Sequence, residues 1–147
     1  MSYKGRYKIK NPDKYAGDPT KVVYRSLWER KVMVYCDKND AILEWGSEEI
    51  IIPYKSPLDG RIHRYFPDFY VKVKQNDGTI KKMIIEVKPE KYTKPPKKPK
   101  KETKSFIKDV YEWGRNQAKW KHAREYCRDR NMDFLILTEK HLMPQYK

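Results

Sequence analysis

From Tyr24 to Asp37 the chain reads "YRSLWERKVMVYCD", and a helical period places Leu27, Trp28, Lys31, Val34 and Tyr35 on one side. This predicts a first helix. Strand-like runs follow: "AILEWG", "SEEIIIPY", "HRYFPDFYVKVK" and "TIKKMIIEVK", with Asp59 and Gly60 marking the loop between the second and the third. Strands in direct succession predict an antiparallel meander. From Ser105 to about Arg130 the helical period returns, with Phe106, Val110, Trp113, Trp120, Ala123 and Cys127 on one stripe, although Gly114 weighs against an unbroken helix. "MDFLILTE" then reads as a buried strand, and a short C-terminal piece closes the chain.

Two stretches carry no such pattern. Residues 1–19 are polar, basic and punctuated by Pro12, Gly17 and Pro19, which predicts an arm that lies on a surface or stays mobile. Residues 91–104, "KYTKPPKKPKKETK", hold seven lysines and three prolines and read as a disordered loop or tether. The whole, 147 residues, suits one domain, 1–147, with a single core.

Charge narrows the range of partners. The formal net charge is +14, with 18 Lys and Arg against 13 Asp and Glu up to Glu90 and 16 against 7 beyond it. A polyanion is the expected large partner, nucleic acid ahead of an anionic membrane surface, with affinity that falls as salt rises. No apolar run is long enough to span a bilayer, and "MSYKGRYKIK" lacks the apolar segment of a secretory signal, so the expected setting is a cytoplasm. Cys36 and Cys127 then read as small buried apolar side chains, since the spacing of a zinc site is absent.

The chemistry concentrates where "HRYFPDF" and "IIEVKP" are joined through "QNDGT". A two-residue loop of Asp77 and Gly78 sets Asp68 opposite Val87, with Asp68 and Glu86 on opposite faces. A three-residue loop of Asn76, Asp77 and Gly78, with Gly78 left-handed, pairs Gln75 with Thr79 and sets Asp68 opposite Glu86. Both fit "NDG". In the second register Asp68, Glu86 and Lys88 share a face. Like charges directly opposite are destabilising, and a bound divalent cation supplies the compensation: two carboxylates suit Mg²⁺, and Lys88 is placed to hold water or meet charge on a phosphate.

These residues resemble the PD-(D/E)XK nuclease superfamily: Pro67 and Asp68, then Glu86, Val87 and Lys88. The resemblance implies an α/β fold with a restriction-endonuclease-like core, a mixed central sheet flanked by helices. It implies metal-dependent cleavage of double-stranded DNA, with Mg²⁺, or Mn²⁺ in its place, held by Asp68, Glu86 and the Val87 carbonyl. An upstream helix in these nucleases often supplies an acid, and Glu29 has that place here; Ser26 and Glu29 equally form a capping box. Some members carry a Gln followed four residues later by Tyr or Lys, the spacing of Gln117 and Lys121, while a core amide bonded to backbone accounts equally for Gln117. "YRSLWERK", "EEIIIPY", "HRYFPDF", "IIEVKP" and "KWKHAREYC" are similar to the small head-completion proteins of T-even-type tailed phages. That implies virion assembly in a host cytoplasm, at the portal end of a DNA-filled head, with portal or other head and neck proteins as partners. The lysine-proline insertion directly after the motif departs from other members.

His63 and Arg64 precede the motif and are candidate phosphate contacts, with His63 able to assist a metal. Lys97, Lys98, Lys100, Lys101, Lys119 and Lys121 are candidate nucleic-acid contacts of the backbone-binding kind. Two other readings fit the same sequence: a connector that keeps the nuclease fold without cutting, and a module that binds DNA junctions or ends.

Overall fold

Ser26 sets the start of the first helix. Its side chain accepts the Glu29 N–H at 3.1 Å, so α1 runs Leu27–Lys38, three residues short of the predicted start. In the computed structural model, which describes residues 4–142, Val32, Met33, Cys36 and Asp37 are the buried residues of α1, while Leu27 and Tyr35 are exposed. The expected face is therefore corrected. Part of the inward face is a carboxylate, which hydrophobic periodicity counts as outward.

The N-terminal arm is not loose. Strand β1 (Gly5–Arg6) pairs with β2 (Val23–Tyr24), and Tyr7, Tyr15 and Val22 enter the core against Met33, Cys36 and Trp45. Asp37, fully buried, accepts the Tyr7 hydroxyl at 2.8 Å and the backbone N–H groups of Lys10 and Asn11 at 2.8 and 2.9 Å. Lys14 Nζ donates to the carbonyls of Cys36, Asp37 and Asn39, closing the C-terminus of α1. Further along, Ala16 N–H donates to the Trp45 carbonyl at 2.7 Å, and the Tyr15 hydroxyl meets both the N–H and the carbonyl of Ser47. The first three residues of the arm and the C-terminal piece beyond Leu142 lie outside the described residues.

The strands do not form a meander. β3 (Ile42–Ser47), β6 (Phe69–Lys74), β7 (Ile80–Val87) and β8 (Asp133–Leu137) make the central sheet in the order β3-β6-β7-β8, the last pair parallel. β4 (Ile52–Lys55) and β5 (Ile62–Tyr65) form a separate hairpin. The predicted long third strand breaks at Phe66 to Asp68, because Pro67 has no N–H to continue a ladder. β8 lies at the sheet edge and is half open, with Leu135 41% exposed, rather than buried.

Alternation along β6 and β7 divides the core. Phe69, Val71 and Ile85 pack in one cluster with α1, and Tyr70 and Ile84 in another with Cys127 of α2 (Lys104–Asp129). α2 runs through Gly114 unbroken and buries Asn116, Trp120, Ala123 and Cys127. The predicted stripe holds for its second half only, since Val110 is exposed and Phe106 half-buried, beyond the reach of the sheet. The lysine-proline segment has one turn, Glu90–Thr93, then irregular, largely exposed backbone up to α2. After it, α3 (Glu139–Leu142) returns to this turn: Glu139 accepts the Glu90 N–H and Lys140 pairs with the Glu90 carboxylate. Among the described residues no helix is long and apolar enough to cross a membrane.

Burial alone would raise the Asp37 carboxyl, but its hydrogen bonds from Lys10, Tyr7 and Asn11 outweigh burial and hold it below the usual range. The stability this contributes is present above the unfolded value, about 4, and is lost as pH falls through the folded one. Asp37→Ala is expected to cost about 3 kcal/mol at pH 7, with the gap to the parent protein narrowing in acid. Urea midpoints at both pH values check it.

Candidate active site

The turn between β6 and β7 decides the register. Gln75 N–H donates to the Thr79 carbonyl at 2.8 Å, Gly78 N–H to the Gln75 carbonyl at 2.9 Å, and Gly78 has φ of 88°. This is the three-residue loop with its glycine left-handed, the second of the two alternatives above. Pairing runs from Lys74 with Ile80 to Phe69 with Ile85, and one step further sets Asp68 opposite Glu86. The next step faces Val87 with Pro67, where β6 has not begun. There the Asp68 side chain replaces a backbone partner, its Oδ2 accepting the Val87 N–H at 2.7 Å.

Glu86 is 7% exposed and is held from two sides. The buried Tyr65 hydroxyl, at the end of the β4–β5 hairpin, donates to Oε1 at 2.8 Å, and Lys88 Nζ lies 3.8 Å from Oε2. Half-buried Lys119 of α2 sits over the rings of Tyr54 and Tyr65, 5.8 and 5.6 Å from their centroids, and its charge acts on Glu86. Burial lowers the Lys119 ammonium against the pull of Glu86, with Lys88 adding to the fall. Burial raises Asp68 well above the carboxylate range, and the Glu86 charge raises it further, against the Val87 N–H and Lys88. Burial raises Glu86 too, against the Tyr65 hydrogen bond and both lysines. Two buried acids, oxygen donors only, with lysines facing one of them, suit a hard divalent cation beside a phosphate.

Residues 39–139 match the family model of the TnsA-like endonuclease N-terminal domain. The chain belongs to this endonuclease family. The endonuclease is also 42% identical over 143 residues to the head completion nuclease of Enterobacteria phage T4, which covers 95% of this chain and 93% of that one. The fold expected from the PD-(D/E)XK motif, α/β with a mixed sheet between helices, is the one found.

The remaining sequence candidates divide by distance from the pair. Glu29 precedes the matched span and is half-buried; it takes part in the helix cap, with Ser26 Oγ 3.4 Å and Arg25 N–H 3.3 Å from its carboxylate. Burial raises its carboxyl, and its charge adds to the rise of Asp68. The cap contacts of Glu29 are thus formed, and among the described residues no three His, Cys, Asp or Glu side chains gather as metal ligands. Gln117 is half-buried, and the buried amide of that helix is its neighbour Asn116. His63 is exposed in the hairpin and pairs with Asp59 at 2.7 Å; Arg64 lies over Phe66. Lys97, Lys98, Lys100, Lys101 and Lys121 are exposed, and the charge of Lys119 acts on Glu86. Tyr65 was not legible as a site residue: its link to Glu86 spans 21 residues and depends on a hairpin that leaves the sheet.

With both carboxyls raised, the folded metal-free protein holds protons that the unfolded chain releases. That stability is full below the unfolded values, near 4, and is lost as pH rises through the raised folded ones. Asp68→Asn keeps an acceptor for Val87 and removes the repulsion. In EDTA it is expected to raise the melting temperature by about 2–4 °C at pH 8, with a smaller gain at pH 4, read by calorimetry.

Proposed function

We propose that this endonuclease hydrolyses DNA phosphodiester bonds with Mg²⁺, or Mn²⁺ in its place, during completion of a tailed-phage head. The observation that carries the reading is the register that brings Asp68 level with Glu86 and sets Lys88 at the end of the same strand. Asp68 and Glu86 would hold the cation, with the Val87 carbonyl beside them. When bound, the cation supplies charge neutralisation and Lewis acidity at the phosphate.

The chain's own groups do the rest. Tyr65 keeps one Glu86 oxygen fixed, so the other is presented at a constant angle. Lys88, about a quarter exposed, reaches solvent and the acid pair together, which suits orienting water or meeting charge on the phosphate. Lys119 adds a second positive charge from the helix side. Glu29 would position water or a second cation, and Gln117 would support the site from α2. Arg64, His63 and the exposed lysines would bind DNA backbone without reading sequence. Head completion as the setting is supported by 42% identity to the T4 head completion nuclease over 95% of the chain; action at the portal end of a filled head, with portal or neck proteins as partners, is the finer part of the proposal.

Plasmid DNA incubated with Mg²⁺ is expected to be cut, and EDTA to stop the cutting. Asp68→Ala and Glu86→Ala are each expected to lower the rate by more than about a hundredfold. Metal-dependent cutting that survives either change would overturn the assignment, while folded protein that binds DNA and never cuts would favour the connector reading. Tyr65→Phe is expected to raise the Mg²⁺ concentration for half-maximal rate by about tenfold, with the rate at saturating Mg²⁺ largely kept. A metal titration of initial rates separates the two effects.

A further inference from the structure

Beside Lys88 opens a groove of about 920 Å³ that the chemistry above does not use. One wall is the insertion after the motif, the turn Glu90–Thr93 and the irregular backbone through Pro95 and Pro96. The other is Ser105, Lys108, Asp109, Glu112, Trp113 and Asn116 of α2, whose spacing of three and four marks one helix face. This is the half of α2 that extends past the sheet, which is why its predicted apolar stripe failed.

The lining has the chemistry of an anion site with aromatic walls. Lys88, Lys91, Lys94, Lys97 and Lys108 face it, whereas most of its acids are already engaged: Glu90 by Lys140 and Lys94, Glu112 by Arg115, Glu139 by the Glu90 N–H. Tyr92 is 45% exposed and Trp113 half-buried on opposite walls. Asn116, 8% exposed, lines the groove on the same helix face as Glu112 and Trp113.

We infer that this groove binds a single DNA strand, with bases against Tyr92 and Trp113, phosphates along the lysines, and a nucleotide on the Asn116 amide. A duplex keeps its bases stacked inside and offers these groups nothing to stack on; an unpaired strand offers both a base face and a base edge. The inference rests on the nuclease reading for the position of the cut and deepens it: the substrate class is DNA with an unpaired segment, a frayed end or a flap, leading to the acid pair.

The test is fluorescence anisotropy of the full chain in EDTA, with a labelled 12-nucleotide single strand and a blunt duplex of the same sequence. The single strand is expected to bind at least about tenfold more tightly, and Trp113→Ala and Tyr92→Ala each to weaken it about tenfold while changing the duplex less than about twofold. Lys108→Glu, an exposed position on the same wall, guards against misfolding and is expected to weaken the single strand; Lys38→Glu on α1 is expected to leave the preference intact. Equal affinity for the two DNAs, or groove variants that weaken both alike, would overturn the inference. Because EDTA suppresses cutting, this result is independent of whether Asp68→Ala abolishes cleavage, and the two readings fail separately.

Discussion

Two carboxylates at the ends of neighbouring strands repel one another in a place where water screens them poorly, and much of the fold serves to hold them there. Gly78 fixes the register that brings them level, and Pro67 ends the ladder so that Asp68 bonds a backbone N–H with its side chain. The β4–β5 hairpin, set apart from the sheet, delivers the Tyr65 hydroxyl to Glu86, and α2 packs on that hairpin through Trp120 and Ala123 while bringing Lys119 over the same rings. Each support comes from a different part of the chain. The repulsion is thus balanced by tertiary packing, and no single local segment could sustain it.

That division explains the two halves of α2. Its C-terminal half closes the core with small and aromatic side chains, Ala123 and Trp120, that let helix and hairpin approach closely. Its N-terminal half has left the sheet and faces the lysine-proline segment instead. A parallel β7–β8 pair demands a long crossover, and the segment and helix together form it. The insertion thus lies in the crossover and is tied back to the sheet edge through Glu90, Glu139 and Lys140.

Local chemistry was legible in the sequence where one residue governs one turn, Ser26 as a helix cap and "NDG" at the hairpin, whereas the break at Pro67 was read through as continuous strand. The turn chemistry left the register open between two loops, because both place a glycine acceptably and only the pairing of distant side chains chooses between them. Burial by polar groups was illegible. Asp37, Glu86 and Asn116 all face inward, and a reading based on apolar period turns such positions outward, which misplaced the face of α1 and put Gln117 where Asn116 stands. The meander failed for a different reason: succession along the chain suggests neighbours, but "SEEIIIPY" and "HRYF" pair with each other and leave β3 to pair with β6.

β3 is an edge strand, and an unpaired edge is a template for foreign strands. Here the outward backbone groups of Trp45 and Ser47 are taken by Ala16 and by the hydroxyl of Tyr15, one aromatic side chain standing in for a length of strand. A chain shortened past that tyrosine would lose more than core volume. It would gain an adhesive margin, and its failure would take the form of self-association, the bared edge of one copy pairing with that of another.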